Sequence, residues 1–170
     1  AAGIPVVLYN VPGRTGCDLQ PQTVGRLCSH SNIIGLKEAV GDEARWEELY
    51  PLASPVFSLL SGDDPTFVRA IAGGAQGVIS VASNVVPAAL ARICRMLQDR
   101  NVAGAQVLDA GLRNLYDFLG VEPNPVPVKA LMRLMGFGHG LRLPLLPLSE
   151  AHSGEAQKML ELCKTIEQSI

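Results

Sequence analysis

Four short apolar runs recur along the first half of the chain: residues 4–9, 33–37, 56–60 and 77–81. Each is rich in Val, Ile or Leu, lacks strict alternation, and gives way to a polar loop. Such runs are the pattern of strands buried on both faces of a parallel sheet. The intervening segments have helical spacing. Pro21 suits a first helical turn, with Val24, Leu27 and Cys28 on the inner face. Asp42 predicts an N-cap for a helix through Trp46, Leu49 and Tyr50, bounded by Pro51 and Pro55. Asp63-Asp64-Pro65 predicts another start, Asp at N-cap and Pro at N1, for a helix buried through Phe67, Val68 and Ile71 and closed by Gly73-Gly74. A fourth helix runs from Pro87 to about Arg100. Strand, loop and helix repeated four times predict right-handed βαβ units around a parallel sheet.

After Arg100 the strand pattern stops. Residues 102–119 predict one amphipathic helix, Pro123-Asn124-Pro125 breaks the chain, and 126–135 predict another helix. Gly136 to Pro147 reads as loop, and Ser153 as the cap of a last helix from Gly154 to about Gln168. The expected division is a sheet-bearing part, 1–100, and a helical extension, 101–170, that packs on the sheet's outside or mediates association.

The chemistry gathers at strand ends, where parallel α/β folds place their sites. Lys37 closes the run Ile33-Ile34-Gly35-Leu36. An amine among apolar walls loses hydration, its pKa falls, and the neutral form can attack a carbonyl. The plain alternative is a lysine snorkelling at a strand end. By alternation, Gly35 and Ile33 share the face of Lys37, and Gly35 leaves room for a bulky neighbour such as Tyr9. A phenol beside a lysine can relay protons during imine formation. Arg14, on the loop after Tyr9, offers a planar fork for a carboxylate. A core tyrosine and an exposed loop cation are the competing readings.

Other groups read as structural. Glu38 is expected to be an outward-facing carboxylate and Asp42 a cap. Asp63 and Asp64 cap the next helix in preference to holding a divalent ion. Gly73-Gly74 does not open a helix after a strand and so is no phosphate loop. Trp46 and Tyr50 are packing residues, and His30, His139 and His152 have no evident partners.

At 170 residues, 48% apolar and 18% charged, the chain can bury a real core. A net charge of −2 with no basic block argues against nucleic acid or anionic membrane as partners. Cys17, Cys28, Cys94 and Cys163 are scattered, with no metal-site spacing, and read as reduced thiols acting as small buried hydrophobes. No metal is expected. No apolar run reaches the ~18 residues of a membrane span, and no signal-peptide pattern precedes the first strand. The start at Ala1-Ala2-Gly3, without Met and almost at once in strand, is expected of a piece of a longer polypeptide.

Five motifs carry a resemblance: Tyr9-Asn10-Val11-Pro12-Gly13-Arg14-Thr15-Gly16, Ile34-Gly35-Leu36-Lys37-Glu38-Ala39, Ser61-Gly62-Asp63-Asp64, residues 74–81 and residues 122–129. In this order and spacing they resemble the dihydrodipicolinate synthase (4-hydroxy-tetrahydrodipicolinate synthase) family, in the N-acetylneuraminate lyase group of class I aldolases. The resemblance implies an α/β fold, the C-terminal half of a (β/α)8 TIM barrel with four parallel βα units, followed by a C-terminal helical extension. It implies a lyase of lysine and diaminopimelate biosynthesis that condenses pyruvate with aspartate 4-semialdehyde, as a cytoplasmic homo-oligomer, dimer or tetramer. Lys37 would form the imine with pyruvate and Tyr9 would be the proton-relay phenol. Arg14 would bind the carboxylate of aspartate semialdehyde, and Gly62 and the Ile79 carbonyl would line the pocket. No dissociable cofactor is expected, the imine serving as electron sink.

The resemblance begins at about the fifth barrel strand, whereas a complete barrel takes ~250 residues. The family's paired threonines and second tyrosine would lie in the absent half, and no Thr-Thr pair occurs here. Four strands cannot close a barrel, so two open edges and an apolar face around Val7, Ile33, Gly35 and Ile79 are expected. The competing functions are another pyruvate-dependent aldolase of the same group, or an inactive remnant that only associates with other subunits.

Overall fold

The computed structural model describes residues 3–170, which fold as two compact units, one through Ser80 and the other Val81–Ile170. The division falls before the expected boundary at residue 100, because the helix after Pro87 packs among the helices that follow it.

The first unit is a four-stranded parallel sheet in sequential order, β1 (Val6–Asn10), β2 (Ile33–Glu38), β3 (Ser58–Ser61) and β4 (Gly77–Val78). Helices α2 (Pro21–Leu27), α3 (Glu43–Leu49) and α4 (Phe67–Gly73) supply the crossovers, and a single turn, α1 (Pro12–Thr15), follows β1. One core layer joins sheet to helices: Leu36 and Leu59 from the strands meet Val24, Trp46, Leu49 and Ala70, with Phe57 and Ala75 beside them. On the other face, Val7 (40% exposed), Tyr9 (50%) and Ile79 (45%) remain open. β1 and β4 are the sheet's edges.

Two details of β2 differ from simple alternation. Val6 pairs with Ile33 but Val7 with Gly35, so Ile34 is an extra residue in the ladder. This bulge reverses the pleat. Ile33 therefore packs on the helix-side core, and Ile34 is the one left 41% exposed. Gly35 is buried, and its missing side chain makes way for β3 and not for Tyr9: a Cβ there would lie 2.6 Å from the Ser58 carbonyl oxygen.

Several boundaries move for local reasons. Asp42 is the cap of α3, accepting from Arg45 N at 2.9 Å. α4 starts after Thr66, not at Asp64, because Asp63 Oδ2 accepts from Thr66 Oγ1 at 2.6 Å and the chain turns first. β4 ends at Val78, well short of Val81.

The second unit comprises α5 (Pro87–Gln98), α6 (Val102–Ala110), α7 (Arg113–Leu119), α8 (Val126–Leu134) and α9 (Ser153–Gln168). The single helix expected over 102–119 is two. At Gly111 and Leu112 the amides bond three residues back, to Leu108 and Asp109, and Leu112 turns inward. Tyr116 Oη donates to Asp109 Oδ1 at 2.9 Å across that break. α9 packs against α5, α7 and α8, burying Met159, Leu160 and Cys163. Its Glu167 accepts from the amides of Ala88 and Ala89 (3.1 and 2.9 Å), capping α5 from 78 residues away. His152, not Ser153, precedes α9, and Ser149 caps the short turn before it.

Among the described residues no helix is long and apolar enough to cross a membrane. All four cysteines are free thiols; Cys163 is buried, Cys28 and Cys94 are half-buried, and Cys17 is exposed, contrary to its expected burial. His30 and His152 do have partners: His30 Nδ1 accepts from Asn32 N, and His152 lies 3.5 Å from Glu155.

Candidate active site

Register brings Tyr9 and Lys37 together. They are directly paired on β1 and β2, one residue before each strand ends. Because Leu8 and Leu36 face the helix-side core, alternation turns Tyr9 and Lys37 to the opposite face. Lys37 Nζ stands 4.2 Å from the centroid of the Tyr9 ring. That is cation–π range, with the ammonium over the ring face.

The lysine stem takes this course because of Gly62. A Cβ there would lie 2.7 Å from Lys37 Cε and 3.0 Å from Cγ. Gly62 is held in place by its own amide, which donates to the Glu38 carbonyl at 2.7 Å. Lys37 is half-buried against Tyr9 and Gly62, less enclosed than the apolar walls expected of it. Ile79 lies just past β4, its amide donating to the Ser61 carbonyl at 2.8 Å. Arg14 stands exposed in α1, and its guanidinium makes no hydrogen bond or ion pair among the described residues.

Behind the pair lies a polar network that sequence reading missed. Glu38, expected to face outward, is 1% exposed. Its carboxylate accepts from Arg45 Nε (2.8 Å), Asn10 Nδ2 (3.0 and 3.1 Å) and Val40 N (2.7 Å). Arg45 reaches on to Asp18, at 3.0 Å to Oδ2 and 2.9 Å to Oδ1, and to the Leu19 carbonyl. Asn10 also donates to Asp18 Oδ1 at 2.9 Å, and its Oδ1 accepts from Leu19 N at 2.9 Å. The hydrogen bond from Asn10, then those from Arg45, hold the Asp18 carboxyl below its ordinary value. Burial pulls the Arg45 guanidinium down, but its bonds and charge contacts with Glu38 and Asp18 outweigh this and raise it. The available signal was positional: Asn10 and Glu38 each directly follow a candidate site residue at a strand's end.

This arrangement can present a primary amine beside a phenol at the mouth of a parallel sheet, while the charged scaffold stays on the helix side. Among the described residues no three His, Cys, Asp or Glu side chains converge as a metal site would require.

Comparison with known proteins agrees with the fold. The dihydrodipicolinate synthetase family matches residues 1–163. The 4-hydroxy-tetrahydrodipicolinate synthase of Stenotrophomonas maltophilia (strain K279a) is 56% identical over 157 residues, which are 92% of this chain and 53% of that protein. The Xylella fastidiosa enzyme of the same name is 44% identical over 165 residues, 97% of this chain and 55% of that one. Among solved structures, the chloride-inhibited dihydrodipicolinate synthase from Acinetobacter baumannii, complexed with pyruvate, superposes with a TM-score of 0.90 at 38% identity. That superposition covers 96% of this chain and 57% of the other. The chain thus spans about half the length of the curated relatives it matches. Four parallel strands with their crossover helices, a lysine and tyrosine paired at the strand ends, and a match running to residue 163 have one common explanation: the chain belongs to the dihydrodipicolinate synthetase family.

Proposed function

We propose that this chain is the Schiff-base-bearing, C-terminal half of a (β/α)8 barrel that condenses pyruvate with aspartate 4-semialdehyde to 4-hydroxy-tetrahydrodipicolinate. The observation that carries the reading is Lys37 Nζ over the Tyr9 ring, at the C-terminal ends of adjacent parallel strands.

In this reading the neutral Lys37 amine attacks the pyruvate keto carbon, forming a C–N bond, and the keto oxygen leaves as water after two proton transfers. Tyr9 relays those protons. The imine withdraws electrons, a methyl proton departs, and the resulting enamine carbon attacks the aldehyde carbon of the semialdehyde, whose oxygen takes up a proton as the hydroxyl. The semialdehyde's own amino group then attacks the imine carbon, closing the ring and expelling the Lys37 amine. The imine is the electron sink, so no dissociable cofactor is needed. Arg14 is the carboxylate clamp for the semialdehyde, acting through its bidentate fork. Gly62 and the Ile79 backbone line the pyruvate pocket. The open edges β1 and β4, with exposed Val7, Ile34 and Ile79, support completion of the barrel by further strands. Association into a cytoplasmic dimer or tetramer belongs to the same proposal.

Incubation of the chain with pyruvate followed by borohydride tests it. The expected product is a reduced pyruvyl adduct on the peptide carrying Lys37, lost in Lys37→Met. An adduct elsewhere, or none, overturns the assignment.

A further inference from the structure

We infer that Arg45, on the helix outside the sheet, is a positioning residue for the Lys37–Tyr9 pair, acting through Glu38 and Asn10. The inference rests on the reading of Lys37 as the imine-forming amine and asks what holds that amine in place. No side-chain hydrogen bond among the described residues fixes either Lys37 or Tyr9, and Tyr9 is half exposed. Their separation is therefore inherited from the backbone at the strand ends. There the next residue of each strand, Asn10 and Glu38, turns to the other face, and the two are bonded side chain to side chain.

Three ties converge at that level. The Asn10 carbonyl accepts from Ala39 N at 3.0 Å, and the Glu38 carbonyl accepts from Gly62 N at 2.7 Å. Arg45 then bridges Glu38 to Asp18, on the segment leaving β1. The guanidinium fork closes a ring through Glu38, Asn10 and Asp18 that joins the ends of β1 and β2, the strands carrying Tyr9 and Lys37, while Gly62 hangs from the Glu38 carbonyl beside it. Its planar, multidentate geometry is what a single ammonium cannot reproduce.

Arg45→Lys keeps the charge and loses the fork. Asp18→Asn, at the solvent edge of the network, keeps shape and removes one charge. Borohydride trapping with pyruvate, read as a rate against pyruvate concentration, separates the possibilities. The inference predicts that the maximal trapping rate at Lys37 falls about tenfold or more in Arg45→Lys and less in Asp18→Asn, with half-saturating pyruvate little changed. A scaffold role alone would lower the amount of labelled protein and leave the rate constant per folded molecule at the parent value. In parallel, the ring-current shift that Tyr9 imposes on the Lys37 ε-methylene protons should shrink in Arg45→Lys, while core methyl resonances of Leu36 and Leu59 persist. If Arg45→Lys does not fold, Asp18→Asn decides by the same two readouts. Unchanged rate constant and unchanged ε-methylene shift overturn the inference. An untrapped parent protein would instead overturn the functional reading, with the proton shift still reporting on the network.

Discussion

Replacing Arg45 by Met strands a carboxylate. Glu38 is 1% exposed and would keep only neutral donors, Asn10 Nδ2 and Val40 N. Removing one member of a buried pair costs ~3–5 kcal/mol, and the two surviving donors place this case near ~3. The lost bond to the Leu19 carbonyl adds ~1 kcal/mol. The exposed Asp18 contact is screened by solvent and adds little. About 4 kcal/mol is a large share of the ~5–15 available to a domain. With a urea dependence of ~2 kcal/mol per molar, the unfolding midpoint falls by ~2 M. Trp46, the chain's single tryptophan, is buried on the same helix and reports the transition by fluorescence. Adding Glu38→Gln to Arg45→Met removes the stranded charge, keeps an acceptor, and should recover about 1–2 kcal/mol. A single-variant midpoint within ~0.5 M of the parent would mean that the pair behaves like a surface salt bridge, and the burial reasoning would fail.

Four further outcomes are expected of the same molecule. Gly62→Ala should leave the melting temperature nearly unchanged, since the flexible Lys37 stem can give way, but slow pyruvate trapping by up to ~100-fold as the amine shifts by ~1 Å; parent-like trapping would refute it. Because the Asp18 carboxyl is held below its ordinary 3.8, its contribution is fully present above that pH and is lost as pH falls through the lower folded value. Stability curves of the parent and Asp18→Asn should thus differ near neutrality and converge under acid, and a constant gap would contradict this. Glu167→Ala should cost ~1 kcal/mol in thermal unfolding, by leaving the Ala88 and Ala89 amides uncapped, with Glu167→Gln costing less. Burial pushes the Cys163 thiol up to about 11, so at about pH 8 iodoacetamide should label exposed Cys17 in the native protein and Cys163 only in denaturant.

The parallel sheet was legible because its strands are apolar runs separated by helix starts, and the pairing of Tyr9 with Lys37 because both close such runs. Glu38 was misjudged because a carboxylate after a lysine reads as solvated, while the layer it enters is filled by α3, whose Arg45 cancels its charge. Alternation alone could not reveal the extra residue at Ile34, nor that β3 takes the space beside Gly35. Asp63 looked like a cap, yet its side chain found Thr66 first. The break between α6 and α7 lies in a segment whose spacing stays helical throughout, and only the burial of Leu112 shows why the chain turns. Glu167 acts on residues so distant in sequence that no local pattern announces it.

The irregularity at the foot of β2 also decouples the two ends of that strand. Below Ile34 the odd-numbered position is an anchor, Ile33, packed under the helices; above it the odd-numbered position is the displayed amine, Lys37. The phase of the chemistry is thus reset partway along the strand and governed by the pairing downstream of the reset. A residue gained or lost in the turn at 29–32 can be taken up where the ladder already slips, so drift in connection length at the sheet's base need not rotate Lys37 out of its place beside Tyr9.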